Sequence, residues 1–433
     1  MRCEVMRVFV KSFGCSTNLA DGEVLAGCLA EAGYTLARSI SEADVVVYNT
    51  CAVKAPTENR MIEALRRVPS GKKVIVAGCL PLINFERLQR EVRFDGAVGP
   101  AAGKKIVEIV ERVLEGKNGI MLADSLEAMP LLELPRVKAS SVLSVLPVSY
   151  GCLGICAYCC VVFARGRLRS YPVDELAARV QRDAAAGVKE FWVTSQDTAC
   201  YGRDIGANLA VLLKAICMVD GDFRVRVGMM TPNRVADILS EIIEAFKSPK
   251  VFKFVHLPVQ SGDDEVLRRM RRGYTVKDFK EIIAAFRAAF PEITVATDVI
   301  CGFPGETREA FKNTLKLIAE VKPDIVNVSK FFPRPKTAAA AMQEDFVDAN
   351  EVKWRSAEAT KLVKRISLER NQCWIGWTGE VLIDEKGKVP GSWIGRNFAY
   401  KPVVIKSQEN LLGKMLRVKV VKAFSTHLMG TLE

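Results

Sequence analysis

Three thiols stand close together at Cys152, Cys156 and Cys159, in the stretch Gly-Cys-Leu-Gly-Ile-Cys-Ala-Tyr-Cys-Cys over residues 151–160. Four thiolates would close a tetrahedral site, whereas three leave one position open. An iron–sulfur cube held by three thiolates keeps one iron free to bind another group, which suits catalysis more than structure. Cys160 would make a poor fourth ligand because it directly follows Cys159. Tyr158, between the thiols, would pack near whatever the site binds. Three further cysteines, Cys15, Cys51 and Cys79, each stand just past a β-branched run. They are far apart in sequence, so only a fold that aligns those runs can gather them.

The N-terminal third predicts that alignment. Residues 7–14, 45–50 and 73–78 read as strands, and helix-period segments follow at 21–32, 56–67 and 84–91. Strand–helix alternation gives a parallel sheet whose carboxyl ends share one edge, where ligands bind. Cys15, Cys51 and Cys79 are expected to converge there. Taken singly, each could instead be a small buried residue, as free cysteine often is. Cys28 falls on an apolar helix face and reads as core; Cys3 lies near the terminus. A weaker strand at 96–98 and a helix at 104–114 complete a domain assigned to residues 6–116. An irregular stretch over 116–141 follows.

The middle of the chain alternates strands at 145–149, 190–195, 223–228, 252–258, 293–300 and 324–331 with helices such as 173–186, 235–246, 276–290 and 306–319. Six βα units predict a partial (β/α)6 barrel over residues 138–368, with chemistry at the carboxyl ends of its strands. The three-cysteine loop follows the first strand and belongs to that face. Gln196, Gln260, Asp298 and Gly302 share it, and are expected to contact a cofactor. Residues 302–305, Gly-Phe-Pro-Gly, lack the Gly-Lys-Ser/Thr of a phosphate loop, so no nucleoside triphosphate site is read there. A plain turn is one reading of them, and packing against a flat cofactor ring is the other. His256 reads as a satisfied core histidine. Only His427 accompanies it, so histidine-rich zinc sites and histidine-activated nucleophiles fit poorly.

Residues 352–370 read as a basic helix with a solvated face. Short strands at 379–384, 400–405 and 415–421 follow, separated by Gly turns. They predict a small OB-like β-barrel over 371–433, of the kind that binds nucleic acid. Trp374, Trp377, Trp393, Phe398 and Tyr400 could stack on bases or fill the barrel core, and core is the expectation for most of them. Whole-chain properties agree. A length of 433 residues suits two to four domains. No apolar run reaches membrane-spanning length and the first residues lack a signal-peptide pattern, so a cytoplasmic protein with no membrane attachment is expected. Thirteen cysteines in that compartment point to metal ligation rather than disulfides. A net charge of +12 suits a polyanionic partner.

Taken together, the motifs resemble a known family. The Cys152, Cys156, Cys159 spacing after a barrel strand resembles the radical S-adenosylmethionine superfamily. Cys15 in Gly-Cys-Ser-Thr-Asn, Cys51 in Asn-Thr-Cys-Ala-Val and Cys79 in Ala-Gly-Cys resemble its methylthiotransferase branch. So do Arg165-Gly166, Gln260-Ser261 and the Cys-Gly-Phe-Pro-Gly-Glu-Thr of residues 301–307. The terminal barrel resembles a TRAM domain. The stretches 194–206, 228–233 and 331–337 are most similar to archaeal and eukaryotic members acting on N6-threonylcarbamoyladenosine (t6A) in tRNA. Two residues depart: Lys336 stands where Gly is usual, and Gln196 where an acid is common.

The resemblance implies two [4Fe-4S] clusters, one on Cys152, Cys156 and Cys159 and one on Cys15, Cys51 and Cys79. The first would bind S-adenosylmethionine at its open iron and yield a 5′-deoxyadenosyl radical on reduction. The second would hold the sulfur to be methylated and inserted. Implied partners are the anticodon arm of tRNA, an electron donor such as a ferredoxin or flavodoxin, and a sulfur donor. The expected product is 2-methylthio-t6A. Rival readings are a sibling acting on isopentenyladenosine in tRNA or on a ribosomal-protein aspartate, and a noncatalytic metal-containing RNA-binding protein.

Overall fold

The computed structural model describes residues 6–53, 55–121 and 129–433; Cys3 and part of the irregular stretch 116–141 lie outside them. The chain divides into two compact units. One comprises Met1–Ala139, Val145–Tyr171 and Phe332–Ala340; the other comprises Ser140–Ser144, Pro172–Phe331 and Ala341–Glu433.

The first unit is built on a six-stranded sheet. Its order is Thr35–Leu36, Arg7–Ser12, Val45–Thr50, Lys73–Gly78, Gly96–Val98 and Gly119–Met121. Every adjacent pair is parallel. The period-2 pattern of Val45–Thr50 sends Val46 and Tyr48 to one face and Val45 and Val47 to the other. Both faces are covered by helices, so all six residues of that strand are buried. The chain order reverses at Arg7–Ser12, whose two neighbours are reached in opposite directions. Such a switch point opens a crevice at the strand carboxyl ends.

Helix boundaries differ from the sequence expectation in ways that matter. The first helix runs Ser16–Glu31, not from 21, and Cys15 caps it in extended conformation. Ser-Thr-Asn looks like a turn by propensity, but the capped first turn incorporates it. The expected helix 84–91 forms as Phe85–Glu91, and a short unexpected helix, Leu80–Ile83, precedes it across Asn84. The short strands Thr35–Leu36 and Gly119–Met121 went unread because two or three residues carry no period.

The chain also forms two three-stranded sheets. One is ordered Leu143–Pro147, Glu190–Thr194, Arg224–Val227, and the other Phe254–His256, Thr294–Cys301, Ile325–Lys330. Isolated parallel bridges, Val225 to Val251 and Met229 to His256, join them. Six strands therefore follow one another in chain order, as an open β/α barrel requires. The expected helix 235–246 is divided into Pro232–Ala236 and Leu239–Phe246. A 24-residue helix, Ala349–Gln372, leads to a closed five-stranded barrel. Its strands are Thr378–Lys386, Ser392–Arg396, Pro402–Lys406, Met415–Ala423 and Leu428–Leu432.

The basic helix is less solvated than its composition predicts. Arg355 is buried, with its Nη1 2.7 Å from Glu306, and Arg370 pairs with buried Asp324. Trp374 lies in the barrel core and Trp377 and Trp393 pack against it, whereas Phe398 is exposed. Tyr400 leaves the barrel core and packs on Phe252 and Phe254. No described helix is long and apolar enough to cross a membrane.

Candidate metal and cofactor site

Cys15, Cys51 and Cys79 follow three adjacent strands at the carboxyl edge of the first unit's sheet, beside the switch point. Gly14 has φ +107°, and a Cβ there would stand 2.4 Å from Cys51 Cβ and 2.8 Å from its Sγ. Only glycine permits that approach of the Cys15 turn to Cys51. Two asparagines brace it. Asn18 Nδ2 donates to the Asn49 carbonyl at 3.1 Å, and Asn49 Nδ2 donates to the Asn18 carbonyl at 2.6 Å. Asn18 and Asn49 thus tie the Cys15 helix to the Cys51 strand.

The second set of thiols stands in a loop closed at its base. Ser149–Tyr150 pairs antiparallel with Arg169–Ser170, and the Cys152 amide donates to the Gly166 carbonyl. Inside the loop the Gly154 amide donates to Cys152 Sγ at 3.2 Å, and the Cys159 amide to the Cys156 carbonyl at 3.1 Å. The Ala339 amide donates to the Ala157 carbonyl at 2.8 Å, anchoring the loop from the segment 332–340. Tyr158 is half-buried. Cys160 is a core thiol, packed with Cys51, Met61 and Ala164, its Sγ 3.5 Å from the Ala52 carbonyl. That burial gives the spare cysteine a packing role.

Both sets lie in the first unit, and buried acids connect them. Asp21, on the helix after Cys15, accepts from Tyr150 Oη and from Arg165 Nη2, each at 2.6 Å. Tyr150 and Arg165 flank the three-cysteine loop on either side. Glu58, on the helix after Cys51, accepts from Asn84 and Arg87 and pairs with buried Arg334. Arg334 belongs to the same segment that anchors Ala157. None of these five connections was legible in sequence, because the partners are from 26 to 276 residues apart.

The residues fit a sulfur-ligated metal group. Every described cysteine is a free thiol. Desolvation pushes Cys79 up to about 12, with Arg165 the strongest charge acting against it. Burial raises Cys51 and Cys159 in the same way. Such thiols give up their protons when a metal replaces them. Among the described residues no group of three or more His, Cys, Asp or Glu is arranged to hold a single metal ion. Ligands to a cube take different irons and stand wider apart than ligands sharing one ion, so a thiol trio on one edge suits a cluster better.

In the second unit Gln196, Gln260 and Gly302 follow strands, whereas Asp298 lies inside the strand Thr294–Cys301. Asp298 holds His256 Nε2 at 3.1 Å on one oxygen and Asn327 Nδ2 at 2.7 Å on the other. His256 is thereby a hydrogen-bonded partner of a carboxylate. Gln260 adopts φ +71°, a costly conformation for a side chain, with its amide and carbonyl bonded to Asp298 and Ile300. The Gly302 amide is held by Glu306 Oε2 at 2.7 Å. Gln196 is half-buried beside fully engaged Asp197, which accepts from the Ala199 and Thr231 amides. Asp197 so joins the stretches 194–206 and 228–233, a link with no sequence signal of its own.

Residues 7–99 match the uncharacterized protein family UPF0004, residues 146–318 the radical SAM superfamily and residues 375–432 the TRAM domain. The radical SAM domain implies S-adenosylmethionine and iron–sulfur chemistry. Over 98% of this chain it is 41% identical to a probable threonylcarbamoyladenosine tRNA methylthiotransferase of Pyrococcus horikoshii, covering 99% of that protein. The corresponding protein of Homo sapiens is 34% identical over 98% of this chain and 74% of its own length. The fold is similar to that of TsrM, a radical S-adenosylmethionine methyltransferase from Kitasatospora setae. That likeness has a TM-score of 0.56 at 15% identity and covers 94% of this chain and 81% of that one. By its near-complete similarity to these relatives, with the cysteine sets in place, the chain belongs to the threonylcarbamoyladenosine tRNA methylthiotransferase family of the radical SAM superfamily.

Proposed function

We propose that this chain adds a methylthio group to C2 of N6-threonylcarbamoyladenosine beside the tRNA anticodon, giving 2-methylthio-t6A. One observation carries the reading: full-length similarity to threonylcarbamoyladenosine tRNA methylthiotransferases in a chain whose two thiol trios stand in one folded unit. Cys152, Cys156 and Cys159 would hold one [4Fe-4S] cluster, and Cys15, Cys51 and Cys79 another. With S-adenosylmethionine these groups supply a carbon radical able to take hydrogen from an adenine carbon, and a sulfur to put in its place.

The chain's own residues supply the rest. The Gly154 amide donates to Cys152 Sγ and orients that thiol within the loop. Asp21, Tyr150 and Arg165 fix the loop's two ends to the helix after Cys15, which keeps both thiol sets in register. Gln196, Gln260 and Asp298 are the cofactor contacts in this reading. Gly302, its amide taken by Glu306, shapes the turn beside them. Phe303 behind that turn is buried and stacks edge to face on Phe331, which in turn stacks on Phe346. The basic terminal barrel, with exposed Phe398, holds tRNA, mainly through phosphates. A ferredoxin or flavodoxin supplies electrons, and a separate donor supplies sulfur.

The test is nucleoside analysis of tRNA from cells that lack the activity and are supplied with this protein. The expected result is 2-methylthio-t6A with the intact chain and unmodified t6A with Cys51→Ala or Cys156→Ala. Methylthiolation of isopentenyladenosine alone, or of a ribosomal-protein aspartate, would overturn the substrate assignment.

A further inference from the structure

Arg165 is a buried cation whose hydrogen bonds account for only part of it. Its side chain is 2% exposed. Nη2 is bonded to Asp21 Oδ2 at 2.6 Å and reaches Asn18 Oδ1 at 3.5 Å. The other oxygen of Asp21 accepts from Tyr150 Oη. The Tyr150 ring lies under the guanidinium, 5.6 Å from its carbon to the ring centroid. Nη1 has no partner. A buried donor left unmade is costly, and a ligand that accepts from it would remove that cost.

The surroundings say what kind of ligand. Asp21 and Asn18 stand on the first turns of the helix after Cys15, and Asn18 is bonded to Asn49, two residues before Cys51. The guanidinium therefore stands beside the sheet edge that carries Cys15, Cys51 and Cys79, and an anionic sulfur-bearing group held there would complete Nη1. Arg165 arrives there from the segment carrying Cys152, Cys156 and Cys159, six residues past the last of them.

We propose that Arg165 is a positioning residue for the iron–sulfur group on Cys15, Cys51 and Cys79, with Nη1 donating a hydrogen bond to that group's sulfur. This rests on the ligand assignment above. Hydrogen bonds and positive charge at cluster sulfur stabilise the reduced, more negative form and raise the potential. Arg165 thus fixes the orientation of the sulfur-bearing group, and does so from the chain segment that carries the other thiol set. Asp21 holds the guanidinium plane, and Tyr150 holds Asp21.

The test uses the full-length chain carrying Cys156→Ala, reconstituted with iron and sulfide, so that the reduced cluster signal comes from the N-terminal thiols. Arginine is labelled with 15N, and pulsed electron paramagnetic resonance reads nitrogen coupled to the cluster. A 15N coupling is expected. In Arg165→Met it should vanish and the midpoint potential should fall, while Arg165→Lys should restore part of the potential. Asp21→Asn with Arg165→Met leaves no buried charge and serves where the single variant does not fold. Iron present on the N-terminal thiols without a 15N coupling, or a potential unchanged by Arg165→Met, overturns the proposal and leaves the ligand assignment standing. Absence of any iron in the Cys156→Ala protein overturns both.

Discussion

At the scale of single residues, backbone conformation decides as much as side-chain chemistry. Gly14 is held at φ +107° against Cys51, so Gly14→Ala meets both a strained backbone and a Cβ inside the Cys51 side chain. The reconstituted variant should lose the iron of the N-terminal thiols, falling from about eight to about four irons per chain. Iron and labile-sulfide analysis checks this, and full iron content would refute it. Lys336 offers the opposite case. It sits exposed at φ +65°, a left-handed backbone that favours glycine. Lys336→Gly should stabilise the chain by about 1 kcal/mol, read as a raised midpoint in urea unfolding. An unchanged or lowered midpoint would mean that the lysine side chain makes a compensating contact.

At the scale of elements, the terminal barrel meets the β/α core of its own unit through buried polar groups. Tyr400 Oη donates to Glu190 Oε1 at 2.9 Å, and Trp192 Nε1 donates to the same oxygen at 2.5 Å. Glu190 is fully buried, and desolvation, with Asp384 nearby, pushes its carboxyl up to about 7. Its folded value lies above its unfolded one. The stability it contributes is therefore complete below about pH 4.5 and lost as pH rises towards 7. Glu190→Gln keeps the acceptor and removes the charge, so it should stabilise the protein at pH 8 by about 2 kcal/mol. The gain should disappear near pH 4, and denaturant unfolding at the two pH values checks both. Asp324 runs the other way. Burial acts to raise its carboxyl, but Lys401 and Arg370 outweigh burial and hold it low. Its contribution is present above the ordinary aspartate range and is lost as pH falls through the folded value. Lys401→Met leaves a buried carboxylate with Arg370 alone, and should cost about 3 kcal/mol in the same unfolding measurement.

The elements that carry the site were readable because they repeat. β-branched runs of period two announced the strands before Cys15, Cys51 and Cys79, and their order at one sheet edge followed from strand–helix alternation. The start of the helix at Ser16 was not readable, because Ser-Thr-Asn favours a turn until a cap fixes it. Strands Ser392–Arg396 and Leu428–Leu432 were missed too. Trp-Ile-Gly and Met-Gly-Thr take their place from barrel closure rather than from local preference.

At the scale of the whole molecule, charge and metal content are the measurable consequences. A chain of net charge +12 that binds tRNA through phosphates should bind on the order of tenfold or more weakly when salt rises from 50 to 200 mM. An affinity indifferent to salt would count against phosphate contacts. By itself the sequence determined the ligand-type residues, the βα alternation that brings three cysteines to one edge, and the three-cysteine loop after the barrel's first strand. Each of these rests on spacing along the chain, which a sequence states directly. Only the tertiary structure decided which acids and bases pair across the fold. Asp21 with Tyr150 and Arg165, Glu58 with Arg334, and Asp298 with His256 join residues from 42 to 276 positions apart. No local pattern marks such partners, because burial makes a charge costly wherever it lies and only the folded chain shows which opposite charge is near enough to hold it.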